Sequence, residues 1–193
     1  MNLPNKLTML RILLVPVFIL FVLWEVPYHY YIAVAIFAAA SFTDYLDGNI
    51  ARSRGLVTDF GKFADPLADK LLTTTAIVYL LPLGLCDPLV LVIILAREFA
   101  VAGVRMVAAG APGGKVIAAN IWGKAKTVLQ MIAILVIYTM LGTGEFFTGA
   151  NNAQLMQYTV VVSHLLMWLV AAATLISGVQ YLWQNRAFIN TAK

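Results

Sequence analysis

The chain has little charge and almost no cysteine. Only 11% of its 193 residues are Asp, Glu, Lys or Arg, with nine acids among them, while 62% are hydrophobic. With a mean hydropathy of +0.87, this composition excludes an ordinary soluble domain and predicts a single membrane domain over residues 1–193. Cys86 is the sole cysteine, which rules out an internal disulfide and a cysteine metal cluster. The two histidines, His29 and His164, are isolated among apolar or aromatic neighbours and read as structural. There is no basic run. The net charge of +4 comes from residues flanking apolar segments, so membrane lipids or a phosphorylated substrate are the expected partners and nucleic acid is not. Gly113-Gly114-Lys115 fails as a phosphate loop because Ala109 and Val116 occupy the positions of its first glycine and its hydroxyl residue.

What the chain has in quantity is long apolar segments. Hydropathy predicts six transmembrane helices over about 12–24, 28–43, 66–81, 88–109, 128–141 and 157–181, some extended by polar ends. The first lacks a small-residue cleavage site and reads as retained, and Pro16 is positioned to kink it. Leu3, Leu7 and Leu10 alternate with Asn5, Lys6, Thr8 and Arg11 at helical spacing, which predicts a short N-terminal interfacial helix before it. The expected fold is therefore all-α and multi-pass. The connections holding Glu25, Asp87 and Glu145 carry no Lys or Arg, whereas the opposite side carries Lys6, Arg52, Arg54, Lys62, Lys115, Lys124, Lys126, Arg186 and Lys193. This asymmetry puts both termini in the cytoplasm.

Against that apolar background, four aspartates fall within 26 residues: Asp44, Asp47, Asp65 and Asp69. Separations of three and four place each pair on one helix face. The pairs mirror each other about residues 56 and 57, so an antiparallel helical hairpin turning near Ser53, Arg54 and Gly55 sets them level. Four converging carboxylates repel and are driven to protonate unless cations intervene. An all-oxygen set suits Mg²⁺ or Mn²⁺, whereas Zn²⁺ would call for His or Cys. The plainer alternative is that these acids cap helices or pair with Arg52, Arg54, Lys62 and Lys70.

Cations sit in the apolar sequence too. Arg97 and Arg105 lie inside the fourth segment, where ionisable groups are costly and face a cavity or a partner. Glu98, adjacent to Arg97, is not expected to share its helix face. Two guanidiniums opening toward the aspartates would grip a phosphate monoester bidentately, and Lys124 and Lys126 could join them. The alternative has Arg97 paired with an intramembrane carboxylate, Arg105 snorkelling, and the lysines as flanking charge.

The aspartate stretch reads Asp44, two residues, Asp47-Gly48, two residues, Ala51-Arg52, eight residues, Gly61, three residues, Asp65, three residues, Asp69. This resembles the signature of the CDP-alcohol phosphotransferases, membrane enzymes that move a phosphatidyl or similar group from a CDP-linked donor to an alcohol and release CMP. The segments NLPNKLTMLRILLVP, REFAVAGVRMVAAG and KVIAANIWGKAKTVLQM resemble the branch of bacterial phosphatidylglycerophosphate synthases. The resemblance implies transfer of phosphatidyl from CDP-diacylglycerol to sn-glycerol 3-phosphate at the cytoplasmic face of the bacterial cell (inner) membrane, by a homodimer. It also implies two divalent cations held by Asp44, Asp47, Asp65 and Asp69, with Asp69 as general base. Arg52 would hold a donor phosphate, Gly48 and Gly61 would admit the nucleotide, and Asn5, Thr8 and Thr58 would contact cytidine or diphosphate. Cardiolipin synthase, with phosphatidylglycerol as acceptor, is the alternative within the family. A divalent-cation transporter is the alternative from another class, although its polar groups should run through the full membrane depth.

The charge asymmetry is testable directly. Reporter fusions after Glu25, Asp87 and Glu145 are expected to lie outside the cytoplasm; a cytoplasmic signal from any of them breaks the six-span topology.

Overall fold

The computed structural model describes residues 3–54, 59–110 and 121–186, apart from the side chains of 3–7, 44–54, 59–66, 69 and 109–110. The described residues form an all-α fold of six helices: α1 (Leu3–Leu23), α2 (His29–Arg54), α3 (Asp59–Leu80), α4 (Pro88–Gly110), α5 (Ile121–Gly144) and α6 (Ala150–Gln184). α5 and α6 are each long and apolar enough to cross a membrane. α4 is of similar length but carries Arg97, Glu98 and Arg105.

Several helices run past their apolar stretches. α2 continues through Arg54, so Ser53 and Arg54 are helical and not the turn residues expected of them. α3 starts at Asp59, seven residues before the apolar run, and α6 starts at Ala150. The segment read as a separate interfacial helix is continuous with the first apolar one. α1 runs unbroken from Leu3 to Leu23 and through Pro16.

α1 packs on α2 and α3, α5 on α6 and α2, and α4 chiefly on α6. The main core joins Val15, Phe18, Ala33, Phe37, Leu72, Ile77, Ile134, Ile137, Met167 and Val170. Phe18 lies edge-on to Tyr138, with ring centroids 5.5 Å apart, and the buried Tyr138 hydroxyl donates to the Ala76 carbonyl at 2.9 Å. Where α5 crosses α2, Gly142 is required: a Cβ there would stand 2.9 Å from the Tyr31 ring. The buried hydroxyls of α6 do not seek other helices. Thr159, Ser163, Thr174 and Ser177 donate to carbonyls three or four residues back, which satisfies them without a polar partner across the bundle.

One end of the bundle is tied by Glu145, just past α5. Its carboxylate accepts the Tyr28 N–H at 2.6 Å and the Tyr30 N–H at 3.4 Å, and His29 Nε2 is 3.6 Å away. It thus caps the unsatisfied donors at the start of α2 from a distant helix. It also stabilises Tyr28 at φ +64°, a conformation unfavourable for a bulky side chain. At the same end His164 Nε2 meets the Gly84 carbonyl at 3.1 Å. Both histidines are structural, since His29 Nδ1 is 3.0 Å from the Phe21 carbonyl. The three connections near Glu25, Gly84 and Glu145 therefore share an end.

Removing this cap has a measurable consequence. Glu145→Ala should lower stability by about 1–2 kcal/mol in thermal unfolding of detergent-solubilised protein, and Glu145→Gln should lose less.

Candidate active site

The helix bounds put the four aspartates on two consecutive, touching helices. Asp47 and Asp44 lie seven and ten residues in from the end of α2 at Arg54; Asp65 and Asp69 lie six and ten residues in from the start of α3 at Asp59. At a rise of about 1.5 Å per residue, the two pairs stand at matching depths of roughly 10 and 15 Å from their helix ends. Their side chains lie outside the described residues, as do those of Asn5 on α1, Gly48 and Arg52 on α2 and Gly61 on α3; Thr58 lies wholly outside. Among the described residues no three His, Cys, Asp or Glu groups converge. A donor set of four carboxylates on adjoining helices is nonetheless the chemistry that a hard divalent ion requires.

Near α3's aspartates the described side chains form an ionic cluster. Glu98 of α4 accepts Lys126 Nζ at 2.8 Å and Arg97 Nη1 at 2.9 Å on Oε1, and Lys70 Nζ is 3.4 Å from Oε2. Three helices thus meet at one carboxylate. Side-chain exposure is 3% for Lys126, 10% for Arg97, 19% for Glu98 and 37% for Lys70, so Lys126 and Arg97, two of the four candidates for binding the acceptor phosphate, are the deeper cations of this cluster. Glu98 and Arg97, neighbours that leave the helix on different faces, nonetheless meet, because both side chains are long enough to turn back on each other. Arg97 is also fitted from behind, where a Cβ on Gly178 would lie 2.8 Å from its Cγ. Its Nε is buried without a hydrogen-bond partner among the described residues.

The other two acceptor candidates stand apart from this cluster. Arg105 lies about 12 Å further along α4, with Nε 3.3 Å from the Tyr181 hydroxyl and its guanidinium 5.6 Å from the centre of that ring. Lys124 is exposed near the start of α5. Thr8 is fully buried. Arg11, read from sequence only as a polar residue of an amphipathic segment, is buried with its Nε 3.4 Å from the Ala40 carbonyl, one turn before Asp44. Sequence reasoning also passed over Lys70 and Glu98 as site residues. The only available signal was a carboxylate in an apolar segment, whose partners 28 residues either side in sequence are brought to it by the fold. Cys86 is no nucleophile: it is buried between α3 and α4, and burial, reinforced by the Asp87 charge, pushes its thiol up to about 11.

Comparison with known proteins decides the family. The model of the CDP-alcohol phosphatidyltransferases matches residues 1–179. The chain belongs to this family. It is 36% identical over 203 residues to the CDP-diacylglycerol--glycerol-3-phosphate 3-phosphatidyltransferase of Bacillus subtilis, covering 99% of this chain and 98% of that one. It is 38% identical to the protein of the same name from Rickettsia bellii, over 93% of both chains. It is also 43% identical to a probable phosphatidylglycerophosphate synthase of Mycobacterium tuberculosis, over 69% of this chain and 64% of that one. As a member of the CDP-alcohol phosphatidyltransferase family, closely related to bacterial phosphatidylglycerophosphate synthases, the chain is a transferase enzyme and not a cation transporter. The family is membrane-associated, in keeping with the apolar helices.

Proposed function

We propose that this enzyme transfers the phosphatidyl group of CDP-diacylglycerol to sn-glycerol 3-phosphate, giving phosphatidylglycerophosphate and CMP. The observation that carries the reading is a link between two kinds of group. Lys70, next in sequence to Asp69, reaches the same Glu98 carboxylate that holds Arg97 and Lys126. That Lys70 sits one residue from Asp69 supports a site in which metal-binding carboxylates and phosphate-binding cations act together.

In this reading Asp44, Asp47, Asp65 and Asp69 hold two divalent cations, Mg²⁺ or Mn²⁺. When bound, the ions neutralise the donor diphosphate and stabilise the charge of the departing CMP. Asp69 takes the proton from the acceptor hydroxyl. Arg52 binds a donor phosphate, Gly48 and Gly61 leave the backbone open to the nucleotide, and Asn5, Thr8 and Thr58 contact cytidine or diphosphate. Arg97 and Lys126, joined by Arg105 and Lys124 turning in from the separate positions described above, bind the acceptor phosphate through charge-assisted hydrogen bonds, which suit a small dianion with little apolar surface. The active site opens to the cytoplasm of the bacterial cell membrane, six helices span the bilayer, and the enzyme works as a homodimer.

Two experiments test the site. Chelation should abolish CMP release and Mg²⁺ or Mn²⁺ should restore it. Asp44→Asn, Asp47→Asn and Asp65→Asn should each cost orders of magnitude in rate, while Asp69→Asn should cripple turnover and spare donor binding. Full activity in any variant removes that residue from the site. Separately, Arg105→Ala should raise the KM for glycerol 3-phosphate about tenfold or more, about 1.4 kcal/mol, with the KM for CDP-diacylglycerol within a few-fold. Loss of donor affinity alone would assign Arg105 to the CDP site instead.

A further inference from the structure

We infer that Glu98 is a positioning residue, which holds Arg97 and Lys126 in the pose that receives the acceptor phosphate; the inference rests on the acceptor reading above. The carboxylate has no place in the family signature at residues 44–69, and a phosphate-binding site would ordinarily exclude a negative charge. Its geometry explains its presence. Glu98 Oε1 takes one hydrogen bond from Lys126 and one from Arg97, at 2.8 and 2.9 Å, while Oε2 is 3.4 Å from Lys70. Three cations from α3, α4 and α5 are thus assembled around one anion.

Without that anion the three cations would repel one another and lose their common pose. A displaced Lys126 is a poor phosphate ligand. With Glu98 in place, one guanidinium nitrogen of Arg97, Nη1, is committed to it, and the buried Nε has no partner among the described residues. The arginine therefore retains donor capacity while its orientation is fixed, from one side by Glu98 and from the other by contact with Gly178. A phosphate monoester carries about two negative charges near neutral pH, so it can join three cations and one carboxylate without displacing the carboxylate. Lys70 extends the same constraint to α3, beside Asp69, and so couples acceptor placement to the aspartate pair.

The test is the kinetics of Glu98→Gln, which keeps the shape and removes the charge. The KM for glycerol 3-phosphate should rise about tenfold or more, with the KM for CDP-diacylglycerol within a few-fold and kcat reduced less than the acceptor KM is raised. Glu98→Asp, which keeps the charge on a stem one methylene shorter, should recover part of the loss. A purely structural clamp gives another pattern: both KM values and kcat move together with the melting temperature, or none moves. Either pattern overturns the inference. So does a fall in the acceptor KM, which would make Glu98 a competitor of the phosphate. Should Glu98→Gln not fold, Glu98→Asp carries the test alone, and an unchanged acceptor KM in that variant is the contrary result. Lys126→Ala separates the two levels of argument. If it raises the acceptor KM and Glu98→Gln does not, the positioning role fails and the acceptor reading stands. If glycerol 3-phosphate is no substrate of the wild-type enzyme, both fall.

Discussion

An ionised group inside an apolar bundle must find its counter-charge within its own depth, because neither water nor a distant surface charge can compensate it there. That constraint organises the polar half of this molecule. Glu98 meets Lys126, Arg97 and Lys70 between the helices, and Arg105, which no carboxylate reaches among the described residues, uses the ring and hydroxyl of Tyr181. The aspartates of α2 and α3 pose the same requirement with the opposite sign, one that the proposed divalent cations would meet. Substrate binding, in this account, exploits charge that the fold has already assembled and compensated.

The rest of the bundle is built so that this region is the polar exception. The core from Val15 to Val170 is apolar and aromatic, the buried hydroxyls of α6 are satisfied by their own helix, and the other end is closed by Glu145 over the start of α2. α4 stands mainly against α6. The Glu98 cluster is consequently the chief ionic link from α4 to α3 and α5 among the described residues, so the helix carrying Arg97 and Arg105 is tied to the aspartate helix by charge more than by packing.

Much of this was legible in the sequence, for identifiable reasons. Helix number and order follow from apolar length and from punctuation such as Pro82, Gly84 and Pro88, both local properties. The matching distances of Asp44 and Asp47, and of Asp69 and Asp65, from their own helix ends follow from spacing, because a helix has one rise per residue. Boundaries were less legible. α2 runs to Arg54 and α3 begins at Asp59 because helix propagation does not stop where hydrophobicity does. The contact of Glu98 with Arg97 was not legible because adjacent residues leave a helix in different directions, and only side chains as long as arginine and glutamate can turn back to meet. Lys70 and Lys126 could not be joined to it from sequence at all, since each lies 28 residues from Glu98 and only the packing of α3, α4 and α5 brings them together.

The most direct measurement is CMP release by the purified enzyme from CDP-diacylglycerol with Mg²⁺ or Mn²⁺, comparing no acceptor, glycerol 3-phosphate and phosphatidylglycerol. The account predicts that CMP appears only with glycerol 3-phosphate, in equal amount to phosphatidylglycerophosphate. CMP release with phosphatidylglycerol and none with glycerol 3-phosphate would contradict it and make the enzyme a cardiolipin synthase.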